Sequence, residues 1–206
     1  QSIESIIATS TDFTDSYAYV YHEQGHVFYC LQVQGIASTL CYDGATGMWH
    51  ERTFKDKPTN TTQQHRGAFH VFFDQKNLIG DRLTGDVYQQ SLNFYDHNGD
   101  EMHRERVSPH LQDEKRNITF SSFELDCETG RGLTTGQGSD PQIMLQYSDD
   151  GGRTWSYERW VTIGALGKYR TRVRWSRLGS ARDRVWKTLY TEPTFFQINE
   201  AYINNT

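Results

Sequence analysis

Ser148-Asp149-Asp150-Gly151-Gly152-Arg153-Thr154-Trp155 has two looser copies upstream. One begins at Tyr42 (Tyr42-Asp43-Gly44-Ala45-Thr46-Gly47-Met48-Trp49-His50-Glu51-Arg52). The other begins at Tyr95 (Tyr95-Asp96-His97-Asn98-Gly99-Asp100-Glu101-Met102-His103-Arg104-Glu105-Arg106), and the third copy runs from Tyr147 to Arg159. The opening tyrosines lie 53 and 52 residues apart. Each copy reads aromatic residue, acidic turn, glycine, large apolar residue, then Glu-Arg. A period of about 52 residues in a strand-rich sequence is what stacked four-stranded antiparallel units produce, since each must bury its faces against its neighbours. The expectation is an all-β chain built of β-propeller blades.

The stretch fits Ser-x-Asp-x-Gly-x-Thr-Trp, the Asp-box pattern, and its five defining residues are Ser148, Asp150, Gly152, Thr154 and Trp155. The pattern predicts a local device. Asp150 accepts hydrogen bonds from backbone N–H groups of its own turn, Gly152 supplies a positive φ, and Trp155 buries its ring beneath the loop. Such a turn fixes architecture and carries no chemistry of its own.

Length and alternation agree with this. The 206 residues hold about four blade-lengths, and 14% of them are aromatic, enough to fill the space between sheets. Tyr17–Tyr21 alternates, His26–Val33 follows a Glu23-Gln24-Gly25 turn, and Ser38–Tyr42 and Met48–Phe54 complete a first blade. Gly67–Phe73, Asp86–Tyr95 and Met102–Val107 read as a second set, and Arg116–Glu124 with Gln142–Tyr147 as a third. No helical stripe lasts more than two turns. Residues 1–206 are therefore expected to form one propeller-type region ending in a basic segment, 164–206. The chain opens on Gln1, and the expectation is a piece of a longer polypeptide with further blades upstream.

Charge is unevenly placed. Residues 151–206 hold ten Lys/Arg against four Asp/Glu, a net +6, whereas residues 1–150 carry −11. In Lys168-Tyr169-Arg170-Thr171-Arg172-Val173-Arg174-Trp175 every second residue is basic. As a strand this would present one cationic ribbon and one packing face, with Arg177, Arg182, Arg184 and Lys187 continuing the charge. Such a ribbon needs something anionic opposite it, either carboxylates within the chain or on a neighbouring copy, or a nucleic-acid backbone.

Other signals are weak. Cys30 and Cys41 fall opposite one another if their strands form a hairpin turning near Gly35-Ile36, so a disulfide is open to them. The odd count of three, with Cys127, equally suits buried thiols. Asp96-His97-Asn98-Gly99-Asp100 has the early spacing of a calcium loop, but its glycine and its missing glutamate do not match one. No metal site, cofactor or catalytic constellation is expected. The sequons at Asn60, Asn117 and Asn204 read as chance matches, and no apolar run is long enough to span a bilayer.

The run Tyr147–Trp160, with Ile163-Gly164-Ala165-Leu166-Gly167-Lys168-Tyr169, Arg172–Trp186 and the closing Ala201-Tyr202-Ile203, resembles the C-terminal part of the packaged-DNA-stabilisation proteins. These are the tail hub or nozzle proteins of short-tailed bacteriophages. The resemblance is dense over residues 146–203 and is supported upstream by Asp43-Gly44…Trp49-His50-Glu51-Arg52. It implies a non-enzymatic virion protein of the phage tail, assembled in the host cytoplasm as a homo-oligomeric ring below the portal and adaptor. It implies retention of packaged double-stranded DNA and docking of the tail needle and tailspikes. Two rival readings remain: an Asp-box sialidase-like glycosidase, and a tail-associated module that binds carbohydrate or DNA.

Overall fold

A computed structural model describes residues 3–56 and 58–204. Gln1 lies outside the described residues, as do Asn205 and Thr206, which end the basic segment and complete the last sequon. The chain is all-β, with one short helix among the described residues, Ile3–Ile7. It divides into two compact units, Gln1–Asp100 and Glu101–Thr206.

The first unit holds two sequential meanders. One is β1 (Tyr17–Glu23), β2 (His26–Gln32), β3 (Thr39–Asp43), β4 (Met48–Asp56) and β5 (Thr61–Gln64), paired in that order. The other is β6 (Gly67–Phe73), β7 (Lys76–Asp81) and β8 (Val87–Gln90). Their tight hairpins place two successive residues at positive φ, Gln24-Gly25 between β1 and β2 and Asp74-Gln75 between β6 and β7. That is the geometry matching the right-handed twist of paired strands. Alternate residues Tyr19, Tyr21, Phe28, Cys30 and Cys41 point to one side and form this unit's buried cluster. The first four strands are thus the sequential set that the sequence predicts, extended by a fifth. The hairpin of β9 (Asp96–His97) and β10 (Asp100–Glu101) turns on Asn98-Gly99, again both at positive φ, so the calcium-like spacing there is a turn.

The second unit departs from the expected blades. Its strands are β11 (Arg104–Val107), β12 (Leu111–Gln112), β13 (Ile118–Thr119), β14 (Ser122–Cys127), β15 (Gln142–Ser148), β16 (Arg159–Thr162), β17 (Val173–Ser176), β18 (Ser180–Ala181), β19 (Asp183–Tyr190) and β20 (Ile198–Ile203). One sheet runs β11-β19-β15-β16, with β12 also on β19, and the other runs β17-β14-β20. A blade pairs strands in chain order. Here β11 pairs with a strand about eighty residues downstream, Arg104 opposite Tyr190, and β14 and β15 enter different sheets. Phe123 of β14 packs on Trp186 of β19 with ring centroids 4.9 Å apart, so the sheets face each other across one core. Phe120, Leu125, Ile143, Leu145, Ile163, Val173, Trp175 and Tyr190 fill it. This unit is a β-sandwich, not part of a propeller.

The repeat that suggested blades is real only at the level of turns. Asp43 accepts from Ala45 N (2.9 Å) and Thr46 Oγ1 (2.9 Å), Asp96 from Gly99 N (3.0 Å), and Asp150 holds the third turn. Three similar carboxylate-capped hairpins recur because the same local problem has the same solution. The strands they join pair in different topologies.

Every member of the sandwich core belongs to the second unit. Residues 101–206 alone are accordingly expected to unfold cooperatively on heating with loss of near-ultraviolet circular dichroism. A featureless melt would show that the unit depends on the rest of the chain.

Candidate functional site

The turn at residues 148–156 is built from its own polar atoms. Asp150 accepts from Ser148 Oγ (2.7 Å), Arg153 N (2.9 Å), Thr154 N (2.9 Å) and Thr154 Oγ1 (2.6 Å). Ser148 Oγ in turn accepts from Gly152 N at 2.8 Å, and Gly152 sits at φ 92°, a conformation open to glycine. The Thr154 hydroxyl and amide, then the Ser148 hydroxyl, hold the Asp150 carboxyl well below the ordinary carboxylate range. An aspartate so saturated with donors stays ionised and makes a poor proton carrier. Ser156 N then donates to Tyr147 O at 2.8 Å and closes the hairpin.

The Trp155 ring lies against the loop, 3.7 Å from where a Cβ on Gly152 would stand, but it is not fully buried there. It is partly exposed, and Lys187 Nζ stands 4.3 Å from its ring centroid. The tie between turn and core is instead Asp149, which fills a wildcard position of the pattern. Its carboxylate takes both arms of Arg184, Nε at 2.6 Å and Nη2 at 2.8 Å, while Arg184 Nη1 donates to Leu178 O at 2.5 Å. Arg184 is 1% exposed, and its guanidinium lies 3.9 Å from the Tyr147 ring centroid and 4.5 Å from that of Phe120. A desolvated guanidinium is tolerable only with such a bidentate partner and aromatic faces around it. The neighbouring residue Asp183 pairs with His110 at 2.8 Å, and a side chain added at Gly151 would come within 3.3 Å of the His110 ring. The loop is thereby seated on Arg184 directly and on Asp183 through the His110 ring.

The predicted cationic ribbon divides into separate environments. The strand begins only at Val173, because Lys168 N donates to Ala165 O (2.9 Å) and Thr171 N to Lys168 O (3.3 Å), which coils residues 165–171 into consecutive turns. Arg172 grips Glu124 across the sheet with Nε at 2.5 Å and Nη2 at 2.7 Å, and those bonds lower the Glu124 carboxyl. Arg174 donates to Ser122 Oγ at 3.1 Å. Arg184 is in the core. Lys168, Arg170, Arg177 and Arg182 are exposed, and none of them pairs with a carboxylate among the described residues.

Two features escaped the sequence reading. Asp149 carried no signal beyond an Asp-Asp doublet. Asp43-Gly44-Ala45-Thr46-Gly47 and Asp81-Arg82-Leu83-Thr84-Gly85 share the spacing Asp-x-x-Thr-Gly, and both close by glycine N–H donation to the aspartate carbonyl (2.8 and 3.1 Å). That visible repeat marks the β3–β4 and β7–β8 hairpins of the first unit. Among the described residues no group of three or more His, Cys, Asp or Glu could hold a metal ion, and no helix is long and apolar enough to cross a membrane.

Arg184→Ala is expected to destabilise the second unit by about 3–5 kcal/mol, since it empties a core position among aromatic rings and unties the Asp149 turn from it, while Asp149 itself stays in water. Trp155→Ala is expected to cost only about 1–2 kcal/mol, as its ring is partly exposed and lies outside the sandwich core. Urea unfolding that ranked the two in the opposite order would refute this assignment. The Asp150 contribution has a definite sign with pH. Its folded pKa lies below the unfolded value of about 4, so its stabilisation is complete above pH ~4 and fades as pH falls through the folded pKa. The stability gap between wild type and Asp150→Asn should therefore be constant from pH 7 to about pH 5 and narrow below pH ~4. A gap that widened in acid would contradict it.

Comparison with known proteins accords with the sandwich. The search among curated proteins returns no match. A family model described as "Bacteriophage P22 Gp10, beta-sandwich" matches residues 103–206, half of the chain, beginning two residues into the second unit. With its β-sandwich unit matched throughout, the chain belongs to the bacteriophage P22 Gp10 family of phage tail structural proteins.

Proposed function

We propose that this chain is a structural subunit of a phage tail hub or nozzle. In this reading it assembles in the host cytoplasm as a homo-oligomeric ring below the portal and adaptor. There it helps retain packaged double-stranded DNA and docks the tail needle and tailspikes. The observation that carries the reading is the family match over the whole sandwich unit. The polar chemistry of that unit supports it, because its most elaborate polar group, the Asp150 turn with the Asp149–Arg184 pair, is spent on holding structure. Among the described residues Arg172, Arg174 and Arg184 turn to Glu124, Ser122 and Asp149 separately and do not converge on one point, so the glycosidase reading gains no support.

Charge also favours assembly. Exposed Lys168, Arg170, Arg177 and Arg182 lack carboxylate partners among the described residues, while residues 1–150 carry −11. Opposite charge on one subunit suits head-to-tail contact, the heterologous kind that closes rings. Tyr169 is 68% exposed between Lys168 and Arg170, and this cationic, aromatic tip also suits non-specific contact with phosphate.

Negative-stain electron microscopy of the protein mixed with its phage's portal complex tests the assignment. Added density at the outer end of the portal is the expected result, and lone particles that ignore the portal would contradict it. The variant Arg170→Glu/Arg177→Glu/Arg182→Glu is expected to keep the wild-type melting temperature and to lose assembly. Normal assembly by that variant would remove these cations from the contact.

A further inference from the structure

Cys30 and Cys41 stand opposite one another in the β2–β3 ladder, in the middle of the five-stranded sheet. Their sulfurs are 3.1 Å apart, both thiols are free, and both residues are 0% exposed. The ladder fixes what kind of pair they form. Gly44 N donates to Val27 O at 2.8 Å, so Val27 and Gly44 are a hydrogen-bonded pair, and so are alternate pairs along the strands. Cys30 and Cys41 then occupy a non-hydrogen-bonded position, where Cα atoms approach to about 4.5 Å. That spacing lies inside the range a disulfide spans without moving the backbone.

The surroundings distinguish the two thiols. The hydrogen bond from Cys41, helped by the Arg52 charge and the Tyr19 hydroxyl, pulls the Cys30 thiol down against its burial. The same bond and burial push Cys41 up. With the Cys41 thiol donating to the Cys30 sulfur at 3.1 Å, Cys30 is assigned as the attacking sulfur and Cys41 as the resolving partner. A metal does not suit the pair. The next residue across the sheet, His50, already accepts from Arg52 Nε at 3.1 Å, and no third ligand is grouped with the thiols among the described residues.

We propose that Cys30 and Cys41 are a redox site, a buried dithiol that a small neutral peroxide converts to a cross-strand disulfide. The Cys30 sulfur attacks one oxygen of hydrogen peroxide, and the O–O bond breaks. The leaving hydroxide takes the thiol proton as water, and Cys30 becomes a sulfenic acid. The Cys41 sulfur then attacks the Cys30 sulfur, the S–O bond breaks, and a second water leaves with the Cys41 proton. One peroxide is reduced to two waters while two thiols become one disulfide, and no other reactant is needed. Closing the loop between β2 and β3 restricts the unfolded chain, so the oxidised sheet is the more stable one. Cys127, buried in the other unit with no neighbouring thiol, serves as an internal control.

The folded 206-residue chain is treated with hydrogen peroxide, then unfolded, alkylated with iodoacetamide, digested and mapped by mass spectrometry. The expected product is a peptide pair joined through Cys30 and Cys41 and two hydrogens lighter than the thiols, with Cys127 still alkylated. The oxidised protein is also expected to melt at a higher temperature, and dithiothreitol should reverse the rise. In Cys41→Ser the cross-link is absent and dimedone traps a sulfenic acid at Cys30. If that variant does not fold, the wild-type map decides alone. Full alkylation of both cysteines after peroxide, oxidation of either beyond sulfenic acid without a cross-link, or a cross-link that includes Cys127 would each overturn the proposal.

Discussion

The buried guanidinium of Arg184 is the constraint around which the sandwich unit is arranged. Its charge is removed from water on the Arg184 side only, since the Asp149 side chain remains 44% exposed while that of Arg184 is 2% exposed. The cost of desolvation therefore falls on one partner. It is offset by two short bonds to the carboxylate, one to the Leu178 carbonyl, and the faces of Tyr147, Phe120 and Trp186. Those contacts come from β15, the segment before β14, the loop after β17 and β19 itself. One side chain thus requires both sheets and the turn after β15 to be in place together.

This explains how so polar a turn as that of Asp150 is accommodated beside the sandwich core. Its internal bonds satisfy its own amides, and Asp149 beside it carries the link to the core. Lys168, Arg170, Arg177 and Arg182 are then exposed cations of the basic segment that pair with no carboxylate among the described residues. Their neighbours Arg172 and Arg174 are engaged by Glu124 and Ser122 within the sheet.

The local chemistry of the turns was legible in the sequence. Asp150 with Gly152, the Glu23-Gln24-Gly25 hairpin and the cross-strand meeting of Cys30 with Cys41 all follow from rules acting over a few residues. The sheet order of the second unit was not legible. A pairing such as Arg104 with Tyr190 leaves no periodic mark, and three turns about 52 residues apart imitate a blade repeat without its pairing. The basic run misled for a related reason. Alternation fixes faces only while the chain is extended, and the turns at residues 165–171 break it before Val173. Nor does sequence tell a core arginine from a surface one. Arg184 and Arg182 look alike until Asp149 and three aromatic rings converge on the first of them.

A double-mutant cycle on Arg184→Ala and Asp149→Ala, read by urea unfolding of the full chain, measures how strongly the turn and the core depend on this pair. If the pair ties the turn to the sandwich core, the two losses overlap and the coupling energy exceeds about 1.5 kcal/mol. Additive losses, equal to within about 0.5 kcal/mol of their sum, would show that Arg184 is held by its aromatic neighbours alone and that the turn is an independent ornament of the sheet.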